Sequence, residues 1–318
     1  MKGMILAAGF GTRLLPLTLC RAKAAIPYRN RPLICHCLEA LAAAGVQDVE
    51  INLHHLPDSV RRAVAAAAVP IHRIHYSHEP EILGTAGALN PVRPRLGSDP
   101  FLLVNGKIVF DFDLGPAMRR HRESDALATL VLVDRSPGED FNPVFVGSDG
   151  NVCGFARSAE ERALPGLVFT GIHLLGPKVW KYVPPAGFCD MVRDVYIPAL
   201  KAGELLGAYH APGRWLEFST LQRYLRLNVD SGRNWVGAGS RVSPAASISN
   251  SVLWDDVHIA AGCSLENCVV ADGVELPAGT ILRNTAVVPA SLAPPEFGRF
   301  VRDGLVCYPL EGTVESGH

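Results

Sequence analysis

The first 230 residues alternate short apolar runs with longer amphipathic segments, a pattern typical of strands and helices in turn. Gly45 follows one amphipathic segment in the position that favours a left-handed helix cap. This order predicts an α/β fold, with a Rossmann-like, mostly parallel sheet wrapped by helices. The predicted strands are 4–8, 49–53, 71–76, 101–104 and 127–133, and the predicted helices are 32–44, 57–68 and 113–122.

After about residue 233 the helical periodicity stops, and aliphatic residues recur at steps of about six. Small residues and glycines stand between them, as at the corners of a β-helix. The pattern predicts a short left-handed parallel β-helix made of hexapeptide repeats. We place the domain boundary between residues 232 and 233, and we expect the tail, 294–318, to cap the β-helix. The repeat is carried by Val236, Val242 and Ile248, followed less regularly by Val257, Cys263 and Val269.

A glycine loop follows the first predicted strand. It contains Gly9 and Gly11, and the cations of Arg13 and Lys23 come shortly afterwards. Glycines let backbone N–H groups approach an anion, and a strand that ends in such a loop is a common phosphate site. The dinucleotide fingerprint is excluded because Leu14 replaces its third glycine, and the Walker loop because no Gly-Lys-Ser/Thr follows. On the glycines alone, a strand-to-helix turn without a ligand is an equal alternative.

The longer string LAAGFGTRLLPLT, residues 6–18, with Lys23 and Pro27 after it, resembles the signature of sugar-1-phosphate nucleotidyltransferases, or NDP-sugar pyrophosphorylases. The chain departs from that signature at Ala22, where the family usually has proline. The resemblance recurs over nearly the whole chain and implies two catalytic cations, Arg13 at the triphosphate and Lys23 at the α-phosphate region. It also implies nucleotide contacts from Leu6, Ala8, Gly9, Gly11 and Thr12.

Residues 79–89, EPEILGTAGAL, are a second block of the resemblance. In the family this block contacts the nucleobase, which implies base contacts from Gly84, Thr85 and Ala86. Asn105, at the end of the strand predicted at 101–104, is a further implied nucleotide contact. Without the resemblance, the glycines of this block indicate only a tight turn that opens a helix.

Two positions bear on the metal cofactor that the resemblance implies, Mg²⁺. The family follows Asn-Gly with a metal-binding aspartate, whereas this chain has Lys107, which has no lone pair to offer while charged. Either Lys107 lies on the phosphates and partly replaces the charge of the metal, or the site binds nucleotide without efficient turnover. Glu217 stands where the family has its second metal-binding aspartate, and it is our predicted metal ligand. Asp111 and Asp113 are nearby substitutes, although a strand exit and a helix cap explain them more simply.

The sugar-phosphate site matches the family less well. The family has Glu-Lys-Pro after a Gly-x-Val-x-x-Phe stretch, and the lysine of this triplet binds the phosphate of the sugar. In this chain Arg157 stands at the position of that lysine. A guanidinium can bind phosphate bidentately, and a solvated charged turn is the equal alternative. Thr170 and Gly171 match the sugar-contacting strand of the family.

Composition narrows the function classes. The net charge is −1 over 318 residues, which leaves no basic field for nucleic acid. The 48% hydrophobic and 19% charged content is that of a globular protein with a core. Eight cysteines without a C-x-x-C pair predict reduced thiols in a cytoplasmic protein. The N-terminal apolar run is too short for a signal peptide or a membrane span.

The implied function is transfer of a nucleotidyl group from a nucleoside triphosphate to a sugar-1-phosphate, which gives an NDP-sugar and pyrophosphate. The whole-chain pattern looks most like mannose-1-phosphate guanylyltransferases or glucose-1-phosphate thymidylyltransferases. It implies a homo-oligomer. Its binding partners are the nucleoside triphosphate and the sugar-1-phosphate, with no nucleic acid or membrane. The main alternative, motivated by Lys107 and the missing Glu-Lys-Pro, is a catalytically weak homologue that binds nucleotide and regulates or scaffolds a partner. An acyltransferase built on the β-helix is disfavoured because the helix is too short for an acyl-donor site.

Overall fold

A computed structural model describes residues 1–136, 140–229 and 232–311. Its elements follow the predicted order, and Gly45 has the left-handed φ of +80° expected of a helix cap. The strands before residue 218 are β1 (Lys2–Leu6), β2 (Pro27–Tyr28), β3 (Arg31–Pro32), β4 (Asp48–Leu53), β5 (Arg73–His78), β6 (Phe101–Asn105), β7 (Ile108–Phe110), β8 (Ala128–Val133), β9 (Pro143–Val146), β10 (Val152–Phe155), β11 (Leu167–Leu175), β12 (Leu206–His210) and β13 (Trp215–Glu217). The α-helices are α1 (Leu33–Ala43), α2 (Pro57–Ala66), α3 (Gly84–Gly87), α4 (Arg93–Leu96), α5 (Gly115–Arg122), α6 (Ala159–Ala163), α7 (Ile197–Lys201) and α8 (Leu221–Asn228).

The main sheet has nine strands in the order β10-β9-β11-β6-β1-β4-β5, with β8 paired to β11 and β12 to β8. β1 is parallel to β4 and β6, and β4 is parallel to β5. β11 is antiparallel to its neighbours β6, β8 and β9. The parallel half therefore confirms the predicted sheet, and the carboxyl ends of β1, β4 and β6 lie at one edge, where open α/β sheets bind ligands.

Apolar runs in the central strands explain why these segments pair in the middle of the sheet. Met4 and Ile5 of β1 are both fully buried, and the first four residues of β6 are at most 1% exposed. Because successive strand residues face opposite sides, such a run can be buried only where both faces of the sheet are covered.

Residues 235–289 form three parallel stacks of short strands. The strands are β14 (Trp235–Val236), β15 (Arg241–Val242), β16 (Ser247–Ser249), β17 (Val252–Leu253), β18 (His258–Ile259), β19 (Ser264–Glu266), β20 (Val269–Val270), β21 (Glu275–Leu276), β22 (Ile281–Arg283) and β23 (Thr285–Pro289). The stacks are β14-β17-β20-β23, β15-β18-β21 and β16-β19-β22. Their three-sided arrangement agrees with the predicted hexapeptide β-helix.

The register of the β-helix corrects the predicted repeat. Val236 pairs with Leu253 and Leu253 with Val270, so equivalent positions recur every 17 residues, with steps of six, six and five. The series of Val236, Val242 and Ile248 therefore continues at Leu253. Val257, Cys263 and Val269 of the looser predicted series are also buried, at other positions of the coils. Val236 stays 40% exposed because β14 is the end of its stack and has a strand on one side only.

The tail closes the last coil of the β-helix. β25 (Leu305–Pro309) pairs antiparallel with β23, and β24 (Val301–Arg302) pairs with β25. Phe297 packs on Tyr308, and both side chains are buried. The predicted cap is confirmed as far as residue 311, and 312–318 lie outside the described residues.

Backbone contacts divide the chain into two compact units. The first comprises residues 1–9, 34–57 and 64–217, and the second comprises 10–33, 58–63 and the chain from 218 onward. The second unit thus contains both the segment after Gly9 and the β-helix. The domain boundary at residue 232 stays a prediction. Throughout the described parts of the chain, no helix combines the length and apolar character needed to cross a membrane.

Candidate nucleotide site

The glycine loop leaves the end of β1 as a tight turn. Ala8 is buried and Gly9 is exposed, with open space where a Cβ on Gly9 would lie. Gly11 has φ +69° and precedes the 3-10 turn Thr12–Leu14, in which Arg13 is exposed. The loop therefore presents backbone and a guanidinium to solvent on a fixed turn, as a phosphate cradle requires.

Lys23 packs directly against the loop. A Cβ on Gly11 would lie 3.1 Å from Lys23 Cβ and 2.8 Å from Thr18 Cγ2. Thr18 Oγ1 donates a hydrogen bond to the Gly11 carbonyl at 3.2 Å, and the Ala22 N–H donates to Ser59 Oγ at 2.9 Å. These contacts hold the start of the Lys23 side chain beside the loop, as the sequence predicts. Only glycine fits at position 11, because both the backbone angle and the close approach exclude a side chain.

The ends of β1, β6 and β11 bring several predicted residues together in the first unit. Leu6 pairs with Asn105 in the parallel register. Gly171, with φ +78°, faces Asn105 so closely that a Cβ would lie 2.1 Å from its Nδ2. Thr170 is 1% exposed; its hydroxyl donates to the Val131 carbonyl and its own carbonyl accepts from Trp215 Nε1, so its contact with a sugar stays a prediction.

Lys107 and Glu217 form an ion pair. Lys107 Nζ lies 2.6 Å from Glu217 Oε1, and the Glu217 side chain is only 5% exposed. β7 and β13 are antiparallel and place Glu217 opposite Ile108, so Lys107 is beside Glu217 by backbone register. The two positions at which the resembled family has metal-binding aspartates thus hold a cation and an anion bound to each other.

This arrangement does not fit a divalent cation. The ammonium group lies on Glu217 Oε1, next to any metal that this carboxylate would hold, and a charged lysine cannot itself coordinate a metal. Among residues 1–136, 140–229 and 232–311, no three His, Cys, Asp or Glu side chains are grouped to hold a metal. Asp111 accepts the Arg214 N–H at 2.7 Å, and Asp113 accepts the Gly115 N–H at the start of α5, which supports their structural interpretation. Glu217 as a Mg²⁺ ligand stays a prediction.

The predicted base contacts have structural roles in the first unit. Gly84 has φ +77°, and a Cβ there would lie 2.6 Å from the Cys189 carbonyl oxygen. The Ala86 N–H donates to the same carbonyl at 2.9 Å, and Ala86 is fully buried. Thr85 Oγ1 accepts the Met191 N–H at 2.7 Å. In this conformation the three residues fix the loop before Met191, and their contact with a base stays a prediction.

A buried carboxylate that the sequence analysis did not single out holds this turn. Glu79 is 1% exposed; its Oε1 accepts from Asn52 Nδ2 at 2.7 Å and its Oε2 from the Leu83 N–H at 3.0 Å. Asn52 Oδ1 in turn accepts the Ala7 N–H at 2.7 Å, just after β1. The Asn52–Glu79 bridge therefore ties the exit of β1 to the turn before Gly84. Its only sequence signal was the position of Glu79 at the head of the second block.

Arg157 lies at the start of a short helix. Its N–H donates to Glu161 Oε2 at 2.6 Å, and Ser158 with Glu161 forms a capping box for α6. The Arg157 residue is exposed. Both alternatives for its guanidinium, a phosphate contact and a solvated turn, are compatible with that position.

Comparison with known proteins agrees with this geometry. An α/β nucleotide-binding sheet with a glycine loop, followed by a hexapeptide β-helix, defines a nucleotidyltransferase architecture. Residues 2–234 match the nucleotidyl transferase family, and residues 232–285 match the GlmU-like C-terminal hexapeptide family. The chain belongs to the nucleotidyl transferase family and is an enzyme of that family.

Several named proteins are similar to this chain in sequence. Mannose-1-phosphate guanylyltransferase 1 of Arabidopsis thaliana is 28% identical over 83% of this chain and 74% of its own length. Mannose-1-phosphate guanyltransferase of Schizosaccharomyces pombe is 30% identical over 71% of this chain, which spans 62% of that protein. UTP–glucose-1-phosphate uridylyltransferase of Synechocystis is 29% identical over 70% of this chain and 61% of its own length. A solved structure provisionally assigned as a glucose-1-phosphate thymidylyltransferase of Bacillus anthracis has a TM-score of 0.62 at 23% identity, over 73% of this chain and 95% of that one, and shows the fold.

Proposed function

We propose that this protein transfers a nucleotidyl group from a nucleoside triphosphate to a sugar-1-phosphate, forming an NDP-sugar and pyrophosphate. The observation that carries the proposal is the loop at Gly11, against which Lys23 packs and from which Arg13 extends. Names of the relatives support the sugar-1-phosphate as acceptor. A phosphate oxygen of the sugar attacks the α-phosphorus in line, and pyrophosphate leaves with the electron pair of the broken P–O bond.

No residue needs to form a covalent intermediate, because catalysis in such a transfer consists of positioning and charge neutralisation. Arg13 binds the triphosphate and stabilises the leaving pyrophosphate, and Lys23 binds the α-phosphate region. Leu6, Ala8, Gly9, Gly11, Thr12 and Asn105 contact the nucleotide, and Gly84, Thr85 and Ala86 contact its base. Arg157, Thr170 and Gly171 contact the sugar phosphate. As the counter-ion of the triphosphate substrate, Mg²⁺ would supply charge neutralisation, and Glu217 would be the carboxylate that holds a cation, the metal or the Lys107 ammonium, at the phosphates.

Pyrophosphate release tests this function. The full-length protein is incubated with GTP, dTTP or UTP in turn, with mannose-1-phosphate or glucose-1-phosphate, and with MgCl₂. We expect one pair to release pyrophosphate, and the Arg13→Ala variant to turn over at least about 100-fold more slowly, the usual loss for one transition-state charge contact. Arg119→Ala, an exposed arginine of α5, is the matched control. No release from any pair would contradict the proposal.

The Lys107–Glu217 pair favours a second candidate, a protein that binds nucleotide or NDP-sugar without efficient turnover. Isothermal titration calorimetry separates the two candidates. Tight nucleotide binding without pyrophosphate release would support the binder, whereas binding with release supports the enzyme.

We also propose a cytoplasmic homo-oligomer. The eight cysteines are all thiols, which suits a reducing compartment, and an appended β-helix offers stacked coils for self-association. Light scattering behind size exclusion measures the mass, and a mass near 34.1 kDa would contradict the oligomer.

A further inference from the structure

The Lys107–Glu217 pair is built into the backbone rather than formed by two mobile surface side chains. In the antiparallel pairing of β7 and β13, Glu217 is opposite Ile108, and Trp215 is opposite Phe110. Trp215 Nε1 also donates to the Thr170 carbonyl at 3.0 Å, which fixes β13 against β11. The register between β7 and β13 therefore places the Lys107 ammonium group next to the Glu217 carboxylate.

Burial distinguishes this pair from the Lys178–Asp125 pair. The Glu217 side chain is 5% exposed, whereas Asp125, which pairs with Lys178, is 89% exposed. A buried carboxylate needs a nearby positive charge, and here the lysine supplies it. The Lys107 side chain is 33% exposed, so its ammonium group contacts the carboxylate on one side and can meet a ligand on the other.

A divalent ion at the same carboxylate oxygen would be close to that ammonium. Magnesium binds oxygen at about 2.0–2.1 Å and demands near-ideal octahedral geometry. With Nζ only 2.6 Å from Oε1, the metal would lie less than about 5 Å from a positive charge. Repulsion between the two cations disfavours binding of the metal, because Lys107 is part of the chain and stays beside the carboxylate.

We propose that Lys107 is the resident cation of Glu217 and takes the place of a protein-bound divalent ion. An ammonium has three N–H donors, of which one is used by Glu217, so the others can donate to phosphate oxygens of the nucleotide. That last step rests on the proposed function. Lys107 then binds phosphate oxygens of the triphosphate, and any magnesium is carried by the triphosphate itself.

Manganese binding to the nucleotide-free, full-length protein tests the exclusion of metal directly. Mn²⁺ is titrated and the free ion is counted by electron paramagnetic resonance. We expect the wild type and Glu217→Gln to bind the same amount of Mn²⁺, and Lys107→Asp to gain one site that the Lys107→Asp/Glu217→Gln double variant loses. Lys181→Asp, which replaces an exposed lysine that pairs with the half-buried Glu204, is the matched control and should gain none.

Two results of this titration would overturn the proposal. One is a Mn²⁺ site in the wild type that disappears in Glu217→Gln. The other is a folded Lys107→Asp variant, judged by circular dichroism, that gains no site. If Lys107→Asp does not fold, the comparison of wild type with Glu217→Gln still shows whether Glu217 binds a metal in the wild type.

Nucleotide binding in EDTA tests the phosphate contact separately. We expect calorimetry to show triphosphate binding by the wild type without metal, and about tenfold or greater weakening in Lys107→Gln, the usual effect of losing a charged hydrogen bond. Equal affinity of the two proteins in EDTA would remove the phosphate contact from the proposal. Failure of the proposed function would instead appear as absent pyrophosphate release with the Mn²⁺ result unchanged.

Discussion

Arg21 binds Asp272 through a bidentate ion pair that joins positions 251 residues apart in the chain. Its Nε lies 2.6 Å from Asp272 Oδ2 and its Nη2 2.6 Å from Asp272 Oδ1, and Nη2 is also 2.6 Å from Asp255 Oδ2. The guanidinium lies over the Trp254 ring at 5.3 Å. Arg21 precedes Lys23 by two residues, so two adjacent coils of the β-helix hold the segment that carries a predicted catalytic cation.

Asp272→Asn should therefore disturb the glycine-loop segment. The Arg21 side chain is 18% exposed, and loss of its bidentate partner should cost about 1–3 kcal/mol of unfolding free energy. We expect a lower melting temperature and a several-fold higher KM for the triphosphate, measured by differential scanning calorimetry and pyrophosphate release. Asp256→Asn, at an exposed corner with φ +57°, is the matched control. A lower melting temperature with unchanged KM would show that the loop keeps its position without this contact.

Gly11→Ala should reduce both stability and nucleotide affinity. The substitution places a Cβ 2.8 Å from Thr18 and 3.1 Å from Lys23 at a positive φ. Gly45→Ala has the same backbone strain, about 1–2 kcal/mol, with nothing within 4 Å of the new Cβ. We expect Gly45→Ala to lower only the melting temperature, and Gly11→Ala also to weaken triphosphate binding at least about tenfold by calorimetry. Equal affinities of the two variants would contradict a role of Gly11 in placing Lys23.

Glu79→Gln should loosen the turn before Gly84. The amide replaces one of two oxygens that accept from Asn52 and Leu83, so a buried donor meets another donor at a cost of about 1–3 kcal/mol. We expect a lower denaturation midpoint and a smaller preference among the nucleoside triphosphates. Glu81→Gln, an exposed neighbour, should change neither property. An unchanged preference in Glu79→Gln would separate this turn from base recognition.

His173 should make the protein less stable in mild acid. Burial lowers the pKa of His173 to about 3 from its usual 6.5, so only the unfolded chain takes up a proton between these values. The unfolding free energy should thus fall as the pH drops below about 6.5, by up to about 1.4 kcal/mol per pH unit from this group, and stay level above it. His173→Gln should have a shallower slope in urea unfolding between pH 6.5 and 5. The exposed His72→Gln control should keep the wild-type slope, and an unchanged slope in His173→Gln would contradict the assignment.

Local patterns predicted most of the fold. The helix at 32–44 is observed as Leu33–Ala43, and the strand at 101–104 as Phe101–Asn105, because apolar periodicity and glycine caps act over a few residues. The β-helix was recognised for the same reason, although its step of five after Ile248 was missed. That step depends on how coils stack on one another, which a search for a constant period cannot reveal.

Only part of the candidate site could be predicted from the sequence. The glycine loop and Lys23 are close in sequence, so their proximity could be predicted, and the structure places them together. Glu79 was overlooked as a bridge because its partner Asn52 is on another strand. Thr170 was predicted to contact the sugar, but the direction of its hydroxyl depends on the neighbouring strand β8.

The sequence by itself determined the α/β sheet, the β-helix, the glycine loop with its two cations, and the unusual lysine at position 107. Only the tertiary structure decided that Lys107 is bound to Glu217 and that Arg21 is bound to Asp272. The physical reason is that ion pairing depends on strand register and coil stacking between segments more than 100 residues apart. The sequence shows which residues are charged, but the fold determines which of them form ion pairs.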